Sequence, residues 1–304
     1  MQIKLRIYLL LFALILFFFD LIFKLNISTQ ISFLIFILII FGVPHGALDL
    51  YIDQHFQKTA HNQNLFLLKY IGNIFCYALV WYFFPITALI IFIVITAFHF
   101  GEIDWMGKTN RPIHKIVYSV LGFFWILFLL SKNIDFAINI FMKMGRSSFN
   151  TVQLKSLASF IYPISLACIV SMYAGLFFFK EQFFFTTRHY YYALIQICIL
   201  ILFTLYMPLW ICFAFYFGFW HSLLSFDKIR ITFDIPNTLS GWKGLLFKAA
   251  PFSIVAWFGF AYITFLTLNS KDASGVFTLL FISLSVLALP HLQVFTRLKE
   301  IGRA

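Results

Sequence analysis

Apolar runs of roughly 17 to 25 residues recur along the whole chain, and no other feature of the sequence restricts its fold so strongly. The core of a bilayer offers the backbone no water. A segment of that length must therefore close its own hydrogen bonds, which a helix does and an open sheet does not. Strands of a membrane barrel alternate in polarity, and these runs do not. Reading the runs between polar or proline breaks places spans near residues 6–23, 31–50, 66–84, 86–100, 115–131, 157–179, 189–206, 208–226, 245–268 and 274–295. The expected fold is all-α: a polytopic integral membrane helical bundle of about ten spans, with residues 1–304 forming a single membrane-embedded domain. A soluble domain is excluded, because 62% of the residues are hydrophobic, only 11% are charged and the mean hydropathy is +0.93.

Two of the breaks are single prolines, Pro85 and Pro208, inside runs too long for one crossing. Each allows a tight hairpin or a kink in a long helix. Hairpins are expected, and they set the direction of every later span. With the N-terminus inside, about sixteen Lys and Arg residues lie on the inner side and about six on the outer, the bias that orients membrane proteins. The chain is thus expected in the cell inner (plasma) membrane, multi-pass, with a cytoplasmic N-terminus. The loop 132–156, carrying Lys132, Lys143, Arg146 and Lys155, is the exception, and an interfacial helix would account for it. Because the basic residues are scattered through short loops, the net charge of +11 reflects orientation and argues against a nucleic-acid partner. The run 8–23 follows Lys4 and Arg6 as a signal peptide would, but no small-residue cleavage site follows it, so a retained first span is expected. Cys76, Cys168, Cys198 and Cys212 all lie in apolar stretches and read as packing residues. The 44 Phe residues read as lipid-facing rather than as the walls of a site.

Chemistry is concentrated in histidine. Four of the eight stand at span ends in short phrases: Pro44-His45-Gly46, Phe98-His99-Phe100-Gly101, Trp220-His221-Ser222 and Pro290-His291. All four end even-numbered spans, which run the same way, so their imidazoles are expected at similar depth on the inner side. Such convergence is what a metal site between helices needs. His55, His61, His114 and His189 fall in expected loops beside charged residues and read as solvated. Asp49 stands four residues after His45, on the same face of a continuous helix, and Glu102 and Asp104 follow His99 closely. Asp49 and Asp104 are candidates to hold an imidazole through its second nitrogen. Gly46, Ala47 and Gly101 would let a helix or a ligand approach the backbone closely. The chain has no glycine-rich phosphate loop, no G-x-S-x-G elbow, no H-E-x-x-H and no paired C-x-x-C, which removes the common nucleotide, hydrolase and zinc-protease readings.

The phrases resemble those of the Brp/Blh family, bacteriorhodopsin-related membrane proteins that include bacterial β-carotene 15,15′-dioxygenases. The resemblance rests on Gly42-Val43-Pro44-His45-Gly46-Ala47-Leu48-Asp49, on His99-Phe100-Gly101 with Asp104, on Trp220-His221-Ser222 and on Leu289-Pro290-His291, and it covers most of the chain. It implies a membrane enzyme that takes β-carotene or a related carotenoid from the bilayer and cleaves its central double bond with O2, giving two molecules of retinal. It also implies Fe(II) held by His45, His99 and His221, and a functional link to a retinal-binding rhodopsin. The family usually places a second histidine four residues after the one in its His-Ser phrase, preceded by Arg; Ser225 and Leu224 stand there. His291 is the candidate to complete the iron shell. The alternative set by that departure is a non-catalytic or divergent protein that binds a carotenoid or retinal. A transporter and a bis-histidine haem protein are further readings, the first weakened by the lack of an ionisable relay through the midplane.

Overall fold

The computed structural model describes residues 3–56, 62–135, 137, 138, 142, 151–269 and 273–298. Among the described residues there is no strand. Nine helices there are long and apolar enough to cross a bilayer: Ile3–Phe23, Ile27–Phe56, Gln63–Phe83, Pro85–Asp104, Pro112–Lys132, Thr151–Phe178, Thr187–Tyr206, Leu209–Thr232 and Leu239–Tyr262. A further helix, Ala273–Phe295, is apolar over Phe281–Phe295 and occupies the place of the last expected span. The protein is an all-α polytopic membrane bundle.

Both proline breaks separate helices that fold back on each other. The Tyr77 hydroxyl donates to the Ala88 carbonyl at 2.7 Å. In one continuous helix these residues would lie about 16 Å apart. The rings of Phe203 and Phe215 similarly meet across Pro208, with centroids 4.7 Å apart. Proline removes the backbone donor that would have carried either helix through.

The chain forms two compact units. The first comprises Met1–Leu38, Thr96–Ala137 and Asn150–Leu224; the second comprises Ile39–Ile95, Ile138–Phe149 and Ser225–Ala304. In the first, Pro112–Lys132 lies along Thr151–Phe178, and Ile3–Phe23 lies along Thr187–Tyr206. Gly101 and Gly122 bring two helix backbones into contact: a Cβ at Gly101 would stand 2.0 Å from the Tyr118 carbonyl oxygen, and one at Gly122 2.0 Å from that of Ala97. Only glycine permits so close a crossing. Lys132 turns its ammonium onto the Thr204 and Met207 carbonyls, the orphan acceptors at a helix end. In the second unit, Ala273–Phe295 packs on Gln63–Phe83 and Leu239–Asn269. Tyr77, Trp81, Ala88 and Val286 form its core. The Trp81 indole donates to Ser285 Oγ at 2.5 Å, and Arg297 pairs with the buried Asp53.

Two π-helical stretches, Leu38–Gly42 and Ala214–His221, lead into histidine phrases. Each widened turn rotates the residues after it relative to an α-helical register, which re-aims His45 and His221. Phe18, Phe178, Phe247 and Phe258 are exposed, as the lipid-facing reading expects, but Phe100, Phe128, Phe184, Phe215, Phe226 and Phe295 are buried, so that reading holds for only part of the phenylalanines. Of the loop 132–156, Lys155 pairs with Asp135 at the surface, while Lys143 and Arg146 lie outside the described residues, as does His61.

Candidate functional site

Each unit brings two of the four phrase histidines together. In the first, His99 sits near the end of Pro85–Asp104 and His221 at the end of Ala214–His221. Both are buried, with ring centroids 4.8 Å apart and planes at 77°. Aromatic rings enclose them: Phe100 lies 4.1 Å from the His221 centroid, and Phe217 stacks on that ring at 6.2 Å.

In the second unit, His45 and His291 are buried with ring centroids 5.1 Å apart and planes at 89°. Nδ1 of His45 meets the Gly42 carbonyl oxygen at 2.5 Å, and Nδ1 of His291 meets Asp49 Oδ1 at 2.8 Å. A carbonyl only accepts, so His45 carries its proton on Nδ1 and its lone pair on Nε2. The Asp49 carboxylate imposes the same tautomer on His291, and its other oxygen accepts from the Tyr70 hydroxyl at 2.8 Å.

Both acids that the sequence offers as imidazole holders have other partners than their spacing suggests. Asp49 holds His291 and not His45. The helix Val43–Gly46 ends in a turn, where Ala47 N bonds back to the Val43 and Pro44 carbonyls, and a new helix starts at Asp49. With that interruption, the four-residue spacing no longer places residues 45 and 49 on one face. The carboxylate instead stands at a helix N-terminus, where negative charge is favoured. Asp104 comes five residues after His99, more than a third of a turn off its face, and its carboxylate receives Tyr216 Oη and Trp220 Nε1 rather than an imidazole.

Tyr70, Tyr216, Gln196 and Arg6 enter the polar structure around the histidines unannounced by the motifs, as does the indole of Trp220, which the motif names only as a neighbour of His221. Gln196, in the middle of an apolar run, and Arg6, at the first residue of the first expected span, were the visible signals. Of the histidines expected to be solvated, His55 is exposed and His189 half-buried, but His114 is buried, capping the start of Pro112–Lys132 and packing on Phe183 at 5.3 Å. A cavity of about 20 Å³ borders Asp104, Trp125, Tyr173 and Gln196, room for a single water.

Buried imidazoles set ring against ring in apolar surroundings suit a divalent transition metal, which takes neutral nitrogen donors, and the Asp49 carboxylate on His291 is the kind of group that orients a ligating ring. The donor set fits iron as the resemblance implies, and contains no thiolate that would favour a softer ion. The model of the family described as beta-carotene 15,15′-dioxygenase matches residues 36–299, which contain all four histidine phrases. No curated protein and no solved structure matches the chain.

Proposed function

We propose, from the premise that the chain belongs to the beta-carotene 15,15′-dioxygenase family, that it cleaves the central double bond of β-carotene with O2 to give two molecules of retinal. Fe(II) is the cofactor, with His45, His99 and His221 as ligands and His291 as the fourth. The observation that carries this reading is the recurrence of one arrangement, two buried imidazoles face to edge, once in each unit. A redox metal on neutral imidazoles supplies what zinc does not, activation of O2 beside an unactivated alkene.

The chain's own groups prepare for that chemistry. The Gly42 carbonyl and the Asp49 carboxylate keep Nδ1 of His45 and His291 protonated, so that Nε2 is the donor atom on each. Tyr70 ties the second oxygen of Asp49, which keeps the carboxylate from turning away. Phe100 and Phe217 exclude water from the His221 ring and offer apolar surface to a polyene. The substrate, too apolar for water, enters from the lipid. The protein resides in the inner (plasma) membrane with its N-terminus in the cytoplasm, acts as one membrane-embedded domain, and supplies retinal to a rhodopsin-type acceptor.

The test is expression in cells that accumulate β-carotene, with pigment and retinal followed by chromatography. Retinal from the natural chain, lost by at least about 100-fold in His45→Ala and His221→Ala, is the expected result. Orange cells containing well-expressed, iron-loaded protein and no retinal would replace this reading with the second one, a divergent member that binds a carotenoid or retinal without turnover. Ser225 at the position where the family usually has histidine favours that alternative.

A further inference from the structure

The geometry points to Arg6 and Asp104 as positioning residues for the His99–His221 pair, working through Trp220 and Tyr216. The inference rests on the reading of those histidines as metal ligands. Asp104 is the last residue of the helix that carries His99, and Tyr216 and Trp220 belong to the π-helical stretch that carries His221. One carboxylate joins the two elements, with Oδ2 accepting from the Tyr216 hydroxyl at 2.5 Å and Oδ1 from the Trp220 indole at 2.7 Å. Trp220 is fully buried and adjoins His221, so its fixed indole holds the stretch of backbone from which that imidazole projects.

Arg6 locks the junction from a third helix. Its guanidinium donates to the Ile103 carbonyl at 2.5 Å, to the Asp104 carbonyl at 3.2 Å and to Gln196 Oε1 at 2.6 Å, and lies over the Trp220 ring at 5.6 Å. The Gln196 amide returns a bond to the Asp104 carbonyl at 3.0 Å. Those carbonyls end the His99 helix, where a cation is favoured by the helix dipole as well as by the free acceptors. Arg6 is 2% exposed in a membrane helix that lies outside residues 36–299. A buried charge is costly in such a helix, and simple packing of Ile3–Phe23 would be served by any apolar side chain. What the guanidinium adds is a fixed end for the His99 helix and a counter-charge for the carboxylate that holds the His221 stretch.

Chemistry distinguishes this role from plain stapling. Both partners of the Asp104 carboxylate donate, so Asp104→Asn, with one acceptor oxygen and one NH2 group, keeps the Trp220 bond only by turning the Tyr216 hydroxyl from donor to acceptor, and it removes the charge that faces Arg6. Tyr216→Phe removes a single hydroxyl and keeps the ring. The full chain in detergent would be titrated with Co(II), read by its ligand-field absorption, while thermal melting reports the fold. The expected result is Co(II) affinity lowered about tenfold in Asp104→Asn and Tyr216→Phe, with an altered absorption band and near-natural melting. Arg6→Lys should bind Co(II) more nearly like the natural chain than Arg6→Leu does. Folded Asp104→Asn and Tyr216→Phe proteins with unchanged affinity and spectrum would overturn the proposal, as would affinity that falls only in step with lost folded protein. If the natural chain makes no retinal yet these Co(II) effects appear, the cleavage reading fails and the positioning role stands. Retinal from the natural chain with unaltered Co(II) binding in the variants gives the reverse.

Discussion

Around His45 and His291 the aim of each ring is set at the ring itself, by the Gly42 carbonyl and the Asp49 carboxylate on Nδ1. Around His99 and His221 the polar contacts of Asp104 act on neighbouring residues, and Phe100 and Phe217 wedge the His221 ring by packing. The first arrangement acts on the rings directly: the Gly42 bond travels with the His45 turn, and the Asp49 bond, though it joins two helices, holds the His291 ring by its own nitrogen. The second is an outcome of helix placement, so anything that shifts the backbone by an ångström reaches the imidazoles. The difference teaches where each half of the histidine set is fragile.

The largest effect expected from this comparison belongs to a residue that touches neither ring. Gly122→Ala would place its Cβ 2.0 Å from the Ala97 carbonyl oxygen and 2.9 Å from Gly101, so the two helices must separate. A loss of about 3 kcal/mol is expected from such overpacking. Gly46→Ala, immediately beside His45, would meet nothing nearer than His291 Nδ1 at 3.9 Å, an ordinary contact. Its stability should change by less than about 1 kcal/mol, with the better helix propensity of alanine in its favour. Thermal unfolding in detergent, followed by circular dichroism, measures both. Equal losses in the two variants would erase the distinction between the units.

The next effect tests the directly bonded unit. Asp49→Asn keeps the shape of the side chain but removes the charge that holds the His291 proton and one of the two acceptors shared with Tyr70. Removing a group that orients a metal ligand typically costs about 10- to 100-fold in affinity, and the conservative amide should fall near the lower end. Tyr70→Phe should do less, since the Asp49–His291 bond remains. Co(II) titration checks both, and an affinity unmoved by Asp49→Asn would remove His291 from the proposed ligands.

Hydropathy alone shows ten helices in the right places, because a bilayer demands a run of apolar residues whatever packs against it. The two proline hairpins follow from the same reasoning, and so does the closeness permitted by Gly101. Histidine phrases at the ends of expected spans single out four of the five imidazoles that are buried among the described residues, and miss His114. Which acid meets which ring was not legible. Spacing within one helix suggested Asp49 for His45, but the turn at Ala47 breaks that helix, and the true partner is 242 residues away. Hydropathy fixes the depth of a residue and says nothing of the direction it faces around the helix, which is why Tyr70, Tyr216 and Gln196 were invisible. In the sequence Arg6 looks like the charged flank of a first span, a place that faces water, but it is buried. His114 misled in the same way: the charges beside it in sequence suggest solvent, while Phe183 covers it in the fold.

Ser225, the first residue of the second unit's last segment, carries the smallest expected effect when replaced by alanine. It is fully buried, and its Oγ has no hydrogen-bond partner among the described residues. A buried hydroxyl without a partner contributes desolvation cost and nothing in return, so Ser225→Ala should be neutral or stabilising by up to about 1 kcal/mol. Ser225→His, the residue the resemblance implies at this place, must fit an imidazole into a fully buried position and should cost about 1 to 3 kcal/mol by overpacking. Retinal yield and Co(II) affinity should therefore be unchanged in the alanine variant. If Ser225→Ala instead loses metal, its oxygen is a donor and His291 is not needed as the fourth. If it keeps metal while Asp49→Asn weakens it, the imidazole that Asp49 holds stands as the proposed fourth ligand and position 225 contributes no donor.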